Sequence, residues 1–268
     1  MSRDIAPQDP WRSLTRYTHA RIGLGRAGVS LPTQALLQFQ LAHAQARDAV
    51  HRRFDAAAFQ RDVNERGWHT LSLHSAAPDR PTYVQRPDLG RILNDVSKAS
   101  LEAYERPVGR YEAVLIVSDG LSALAVERHA LSLLELLLPR LTDAQWQLAP
   151  LCIVEQGRVA VADEIGALLG AELSVILIGE RPGLSSPDSL GIYLTWDPMP
   201  GRSNAERNCI SNVRPQGLDY ATAAHKLFHL MTAARQRKLS GVALKDEAPA
   251  FRRESVNEGK LPPLQGEG

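Results

Sequence analysis

Val175-Ile176-Leu177-Ile178-Gly179-Glu180-Arg181-Pro182-Gly183 is the stretch on which the fold turns. Its first four residues are aliphatic and mostly β-branched, the pattern of a short strand buried on both faces of a parallel sheet. Gly179, Pro182 and Gly183 end the run. Glu180 and Arg181 are therefore expected at the carboxyl edge of the sheet, where open α/β folds hold their ligands.

Working outward, Ala113 to Val117 gives a second buried-strand signal that stops at Ser118-Asp119-Gly120, and Ser122 can cap a helix running to about Leu138. Leu151 to Val154 predicts the next strand, Gly157 a turn, and Val161 to Leu169 a short amphipathic helix closed by Gly170. A strand follows around Ile192 to Trp196, then a long helix from Asp219 to about Lys238. Strands alternating with helices imply parallel crossovers and three layers. Earlier in the chain the signals are helical: Ser30 to about Phe54 with Pro32 in the first turn, Asp55 to Glu65, and a stretch after Arg86-Pro87-Asp88-Leu89-Gly90-Arg91 that ends near Tyr104. The predicted architecture is α/β, with a Rossmann-like, doubly wound, mainly parallel sheet over residues 106–245. A mostly helical region, 1–105, with a loose amino-terminal arm precedes it, and a charged, proline- and glycine-rich tail, 246–268, is expected to be disordered.

Composition narrows the function classes. The chain has 268 residues, 44% of them apolar, enough for a substantial core. Thirty-one basic residues against thirty acidic ones leave a net charge of +1, so the global footprint of a nucleic-acid binder is missing. Cys152 and Cys209 are the only cysteines and stand far apart, which suggests neither a disulfide framework nor a thiolate metal site. The apolar run from Leu131 to Leu138 contains Glu135 and falls short of the roughly 20 residues needed to span a bilayer.

Several motifs need weighing. Gly23-Leu24-Gly25-Arg26-Ala27-Gly28 has dinucleotide-binding spacing, but Tyr17-Thr18-His19-Ala20-Arg21 is too polar for the buried strand that must precede it; a glycine-rich connector is the better reading. His225 and His229 have the i, i+4 spacing of a metal pair, yet Lys226 stands where a zinc hydrolase needs glutamate. Gly-x-Ser-x-Gly is missing around Ser118 and Ser122, so no hydrolase elbow is supported. Asp119 can either cap a turn or bind ligand. Cys209, in Arg207-Asn208-Cys209-Ile210-Ser211-Asn212, reads by default as a structural thiol.

Ala20-Arg21-Ile22-Gly23-Leu24-Gly25-Arg26-Ala27-Gly28, Arg86 to Arg91, Val117-Ser118-Asp119-Gly120-Leu121-Ser122, Gly179 to Gly183 and Cys209 to Asn212 occur in one order. In that order they resemble the small-subunit family of ethanolamine ammonia-lyase, over about Asp9 to Gly241. The resemblance implies a bacterial, adenosylcobalamin-dependent lyase that converts ethanolamine to acetaldehyde and ammonia. It also implies a large subunit carrying the substrate pocket and most catalytic groups, with the small subunit covering the cofactor between them. The family's cobalamin-contacting positions fall on Val159, Glu180 and Cys209; no catalytic residue and no cobalt ligand is expected from this chain. Residence in a microcompartment, or in the cytoplasm of bacteria without one, is the implied location. Two other readings remain open at this stage: a nucleotide-binding oxidoreductase of doubly wound fold, and a noncatalytic scaffold subunit.

Overall fold

The computed structural model describes residues 9–18, 20–105 and 109–248. The arm through residue 8 and the tail from residue 249 lie outside them. Six strands, β1 (Thr70–His74), β2 (Ala113–Ser118), β3 (Leu151–Glu155), β4 (Leu173–Gly179), β5 (Leu190–Trp196) and β6 (Arg207–Val213), form one sheet in the order β1-β3-β2-β4-β5-β6. The helices are α1 (Thr33–His51), α2 (Ala56–Glu65), α3 (Arg80–Gln85), α4 (Asp95–Glu102), α5 (Ala123–Asp143), α6 (Val161–Leu169) and α7 (Tyr220–Arg237).

Strands β2 and β4 are buried at every position, as their predominantly apolar sequences require. β1 with β3, β3 with β2, and β2 with β4 pair in parallel. β4 with β5 and β5 with β6 are antiparallel. The expected mainly parallel, Rossmann-like sheet is thus corrected to a mixed one. The connection over 180–189 holds no helix, and a parallel return needs a crossover of about a dozen residues or more. The chain instead folds back, placing Leu190 opposite Gly179.

Helices cover both faces of the parallel part. On one face α2, α5 and α7 pack Phe59, Leu133 and Leu227 against Leu115, Val117 and Val175. On the other, α4 and α6 pack Leu101 and Ile165 against Val114, Ile116 and Ile176. Since β2 leads into α5 and β3 into α6, the loops leaving these neighbouring strands part to opposite faces and open a crevice between them. Beyond β4 the sheet changes character. Antiparallel strands can present one face to water, and Tyr193, Cys209 and Ser211 on the α6 side stay partly or fully exposed.

Local chemistry matches the sequence in most places. Ser122 accepts from Ala125 N at 3.3 Å as the cap of α5, and Asp55 and Asp219 cap α2 and α7 in the same way. Pro32 is the N-cap of α1 rather than a first-turn residue. Pro139 does not end α5, which runs on to Asp143; Leu141, fully buried in the core, gives the last turn a reason to persist. Among the described residues no helix is long and apolar enough to cross a membrane.

Candidate functional site

The crevice between β2 and β3 is filled by the protein itself. Arg80, only 9% exposed, donates from Nη1 to Asp119 Oδ2 at 3.1 Å, to the Gly120 carbonyl at 2.7 Å and to Gln156 Oε1 at 3.2 Å. Its Nε donates to the Val50 carbonyl at 2.6 Å. Ser118 Oγ accepts from Gly157 N at 3.1 Å and donates to Asp119 Oδ1 at 3.3 Å. Ser118 and Asp119 are therefore turned inward to hold the β3–α6 loop, and the choice left open for Asp119 is resolved as an ion pair. The guanidinium carbons of Arg80 and Arg158 lie 4.7 and 4.3 Å from the Tyr83 ring centre, while the Tyr83 hydroxyl donates to the Gly157 carbonyl at 3.1 Å.

Burial pushes the Asp119 carboxyl up to about 6 even with Arg80 beside it. A folded-state value above the ordinary 3.8 means that the native protein keeps a proton the unfolded chain has already lost. Stability should therefore fall as pH rises from about 4 to about 6, then level off. Urea unfolding of wild type and Asp119→Asn across this window checks the sign: the wild-type curve should carry the extra downward slope, and parallel curves would remove Asp119 as its source.

An open cavity of about 440 Å³ lies beside this plug, lined by Tyr83, Gly120, Leu121, Arg158, Val159, Ile178, Gly179, Glu180, Arg181 and Tyr193. Val159 and Glu180, two of the three residues singled out from sequence, thus share one cavity. The Glu180 carboxylate is not paired with Arg181. It accepts from Ser211 Oγ at 2.5 Å, from Asn212 N at 3.2 Å and from Ser189 Oγ. One carboxylate so ties the end of β4 to the start of β5 and the end of β6. Gly191 makes room for it, since a Cβ there would lie 2.9 Å from Glu180 Cγ.

Cys209 lies outside the cavity lining but pairs across the sheet with Tyr193, which does line it. The Tyr193 hydroxyl beside the thiol favours its ionised form. Partial desolvation and the Glu180 charge push the thiol above its ordinary value, outweighing Tyr193. Cys209 is then a neutral thiol at pH 7, a contact group rather than a nucleophile.

The remaining motifs are dispersed. Gly23, Gly25 and Gly28 all adopt positive φ in a connector before α1, with no strand preceding them among the described residues. His225 and His229 sit on α7, and no group of three His, Cys, Asp or Glu side chains among the described residues could hold a metal ion. Sequence reading missed Tyr83, Arg158, Tyr193, Ser189 and Ser211. Ser211 stood inside the Cys209 to Asn212 motif without a role of its own, and Tyr193 carried a signal as a half-polar position inside an apolar run.

The family model described as ethanolamine ammonia-lyase light chain (EutC) matches residues 8–245. The chain is 59% identical over 268 residues to the ethanolamine ammonia-lyase small subunit of Azotobacter vinelandii, covering 99% of both. It is 58% identical over 245 residues to the small subunit of Pseudomonas fluorescens strain Pf0-1, covering 91% of this chain and 89% of the relative. It is 57% identical over 246 residues to that of Pseudomonas aeruginosa strain LESB58, covering 91% and 90%.

Proposed function

The chain belongs to the ethanolamine ammonia-lyase light-chain family and is a subunit of that carbon–nitrogen lyase; from this premise we propose that it forms one wall of an adenosylcobalamin site, with Val159, Glu180 and Cys209 as contacts and the large subunit opposite. The observation that carries the proposal is the open cavity at the carboxyl edge of β4, which unites Val159 with Glu180. Drug-sized ligands occupy cavities of about 300–1,000 Å³, and a corrin with its axial groups is larger than such ligands. A cavity of about 440 Å³ suits one side of such a cofactor, not the whole of it. A second chain must close the rest.

The residues present fit the group. A corrin offers a broad apolar plane edged by amides, and this wall combines Val159, Leu121, Ile178 and the Tyr193 ring with the acceptor Glu180. Glu180 Oε1 takes a hydrogen bond from Ser211, and a carboxylate oxygen has room for a second donor. The bonds from Ser189, Ser211 and Asn212 fix the carboxylate before any ligand arrives, so little ordering entropy is lost on contact. When bound, the cofactor supplies the radical chemistry of the deamination. This chain's part is to orient the cofactor and exclude water; ethanolamine binds on the side of the large subunit.

Co-expression with the large subunit, followed by assay of retained cobalamin and ethanolamine-dependent ammonia release, tests the reading. The complex should show both, and the isolated chain should release no ammonia. Glu180→Gln, which keeps the shape but not the charge, should weaken cobalamin binding about tenfold, as loss of a charged acceptor does. Affinity unchanged by the substitution would defeat the assignment of Glu180.

A further inference from the structure

A second cavity, of about 380 Å³, lies on the other side of the Arg158-Val159 segment and is lined by Arg91, Arg158, Arg202 and Arg207 together with Ser203 and Asn204. Two of the four guanidinium groups are compensated. Arg207 is held by both oxygens of Asp163 at 2.6 Å, and Arg202 by Asp197 and Glu206, each at 2.7 Å. Arg91 and Arg158 have no carboxylate within ion-pair distance among the described residues.

Arg158 packs against the segment that carries Arg91, while its guanidinium lies over the Tyr83 ring and donates from Nη2 to the Tyr83 carbonyl at 3.1 Å. Arg158 N donates to the Gly90 carbonyl at 2.6 Å, and a Cβ on Gly90 would lie 2.7 Å from Arg158 Cγ, so Arg91 follows directly on the residue against which Arg158 packs. Nε of Arg158 and Nε of Arg207, whose side chain is 3% exposed, are buried with no partner among the described residues. Guanidinium groups present donors in a fixed fork that matches phosphate oxygens, and the Asn204 amide adds a neutral donor, the Ser203 hydroxyl being given to Glu206 at 2.9 Å.

We propose that this cleft is a site for a phosphate group carried as a phosphodiester or as free phosphate. Arg158 and Val159 line both cavities, so a ligand seated on the first can reach the second around one short loop. Adenosylcobalamin carries one phosphodiester, in the nucleotide loop that links its lower base to the corrin. Assigning the cleft to that group rests on the function proposed above; the anion site itself does not.

The test uses the complex with the large subunit. Equilibrium binding of hydroxocobalamin and of cobinamide, which lacks the nucleotide loop and its phosphate, is measured for wild type, Arg91→Ala and Arg158→Ala, and inorganic phosphate is titrated calorimetrically at low salt. Arg91 is exposed and without an ion-pair partner, so its removal should leave folding intact. If the cofactor's phosphodiester is the ligand, Arg91→Ala loses about tenfold or more in cobalamin affinity and nothing in cobinamide affinity, and Arg158→Ala, which also borders the first cavity, loses clearly more for cobalamin than for cobinamide. Loss of inorganic phosphate binding in both variants, with cobalamin affinity unchanged, supports the site with free phosphate as its ligand. Equal losses for both corrinoids, or no loss for any ligand, would overturn it. Wild-type complex that takes up phosphate but neither corrinoid refutes the cofactor function while leaving the anion site in place.

Discussion

Asp163→Ala should destabilise the protein by about 3–5 kcal/mol, the usual result of stripping one partner from a buried ion pair. The Asp163 and Arg207 side chains are 1% and 3% exposed, and two parallel bonds of 2.6 Å join them. Removing the carboxylate leaves a guanidinium in the interior with only Thr195 Oγ1 and the Arg202 carbonyl as acceptors, at 3.0 and 2.8 Å. Neither can replace a charge. The pair ties the first turn of α6 to the start of β6, so both cavities should loosen along with the fold. Urea unfolding at pH 7 measures the loss, and a difference below about 1 kcal/mol would show that the pair is not buried in solution. Asp163→Leu combined with Arg207→Met should recover much of the stability, because an apolar pair of similar volume avoids desolvating charge.

The same pair explains what was legible in the sequence and what was not. Strands β2, β3 and β4 announced themselves because burial on both faces demands unbroken aliphatic runs. β1 and β6 are the sheet's two edges, and their sequences, Thr70-Leu71-Ser72-Leu73-His74 and Arg207-Asn208-Cys209-Ile210-Ser211-Asn212-Val213, are polar enough to pass for loops. Arg207 reads as a surface residue in sequence. Its burial depends on Asp163, forty-four positions away, which no local pattern reports. The direction of β5 was recoverable in principle: the stretch between Gly179 and Leu190 is too short and too rich in turn residues for a crossover helix. Taking strand alternation alone as the guide led to the parallel expectation.

The site divides along the same line. Glu180 was legible as the polar residue after a buried strand, whereas Val159 and Cys209 stood out only by family resemblance. Tyr83 and Arg80 lie on a short helix that sequence reading did not name. Their place in the β2–β3 crevice depends on the chain crossing from the edge strand β1 over the end of β3. What had looked like a generic ligand crevice holds protein, and the open cavity stands one strand over, where the antiparallel extension leaves a face uncovered.

Gly179→Ala carries the second large effect, a destabilisation of about 3 kcal/mol with loss of cobalamin retention in the complex, at the upper end of what overpacking costs. A Cβ at this position would stand 2.1 Å from the Ser122 carbonyl oxygen and 2.5 Å from that of Asp119. Both obstacles are backbone, so no rotamer change relieves them. Gly120 presses back from the other side, with its own Cβ position 2.3 Å from the Gly179 oxygen, the atom that accepts from Leu121 N at 2.9 Å. The β2–α5 turn and the end of β4 are therefore fitted backbone to backbone, and an added methyl must push them apart at the floor of the cavity. Gly183→Ala is the control from the same loop. Its nearest neighbour would be Ser186 Oγ at 2.9 Å, a side-chain atom that can rotate away. Its unfolding midpoint and cobalamin retention should stay close to wild type. Equal behaviour of the two variants would mean that the loop yields as a whole and that close packing at Gly179 does not shape the cavity.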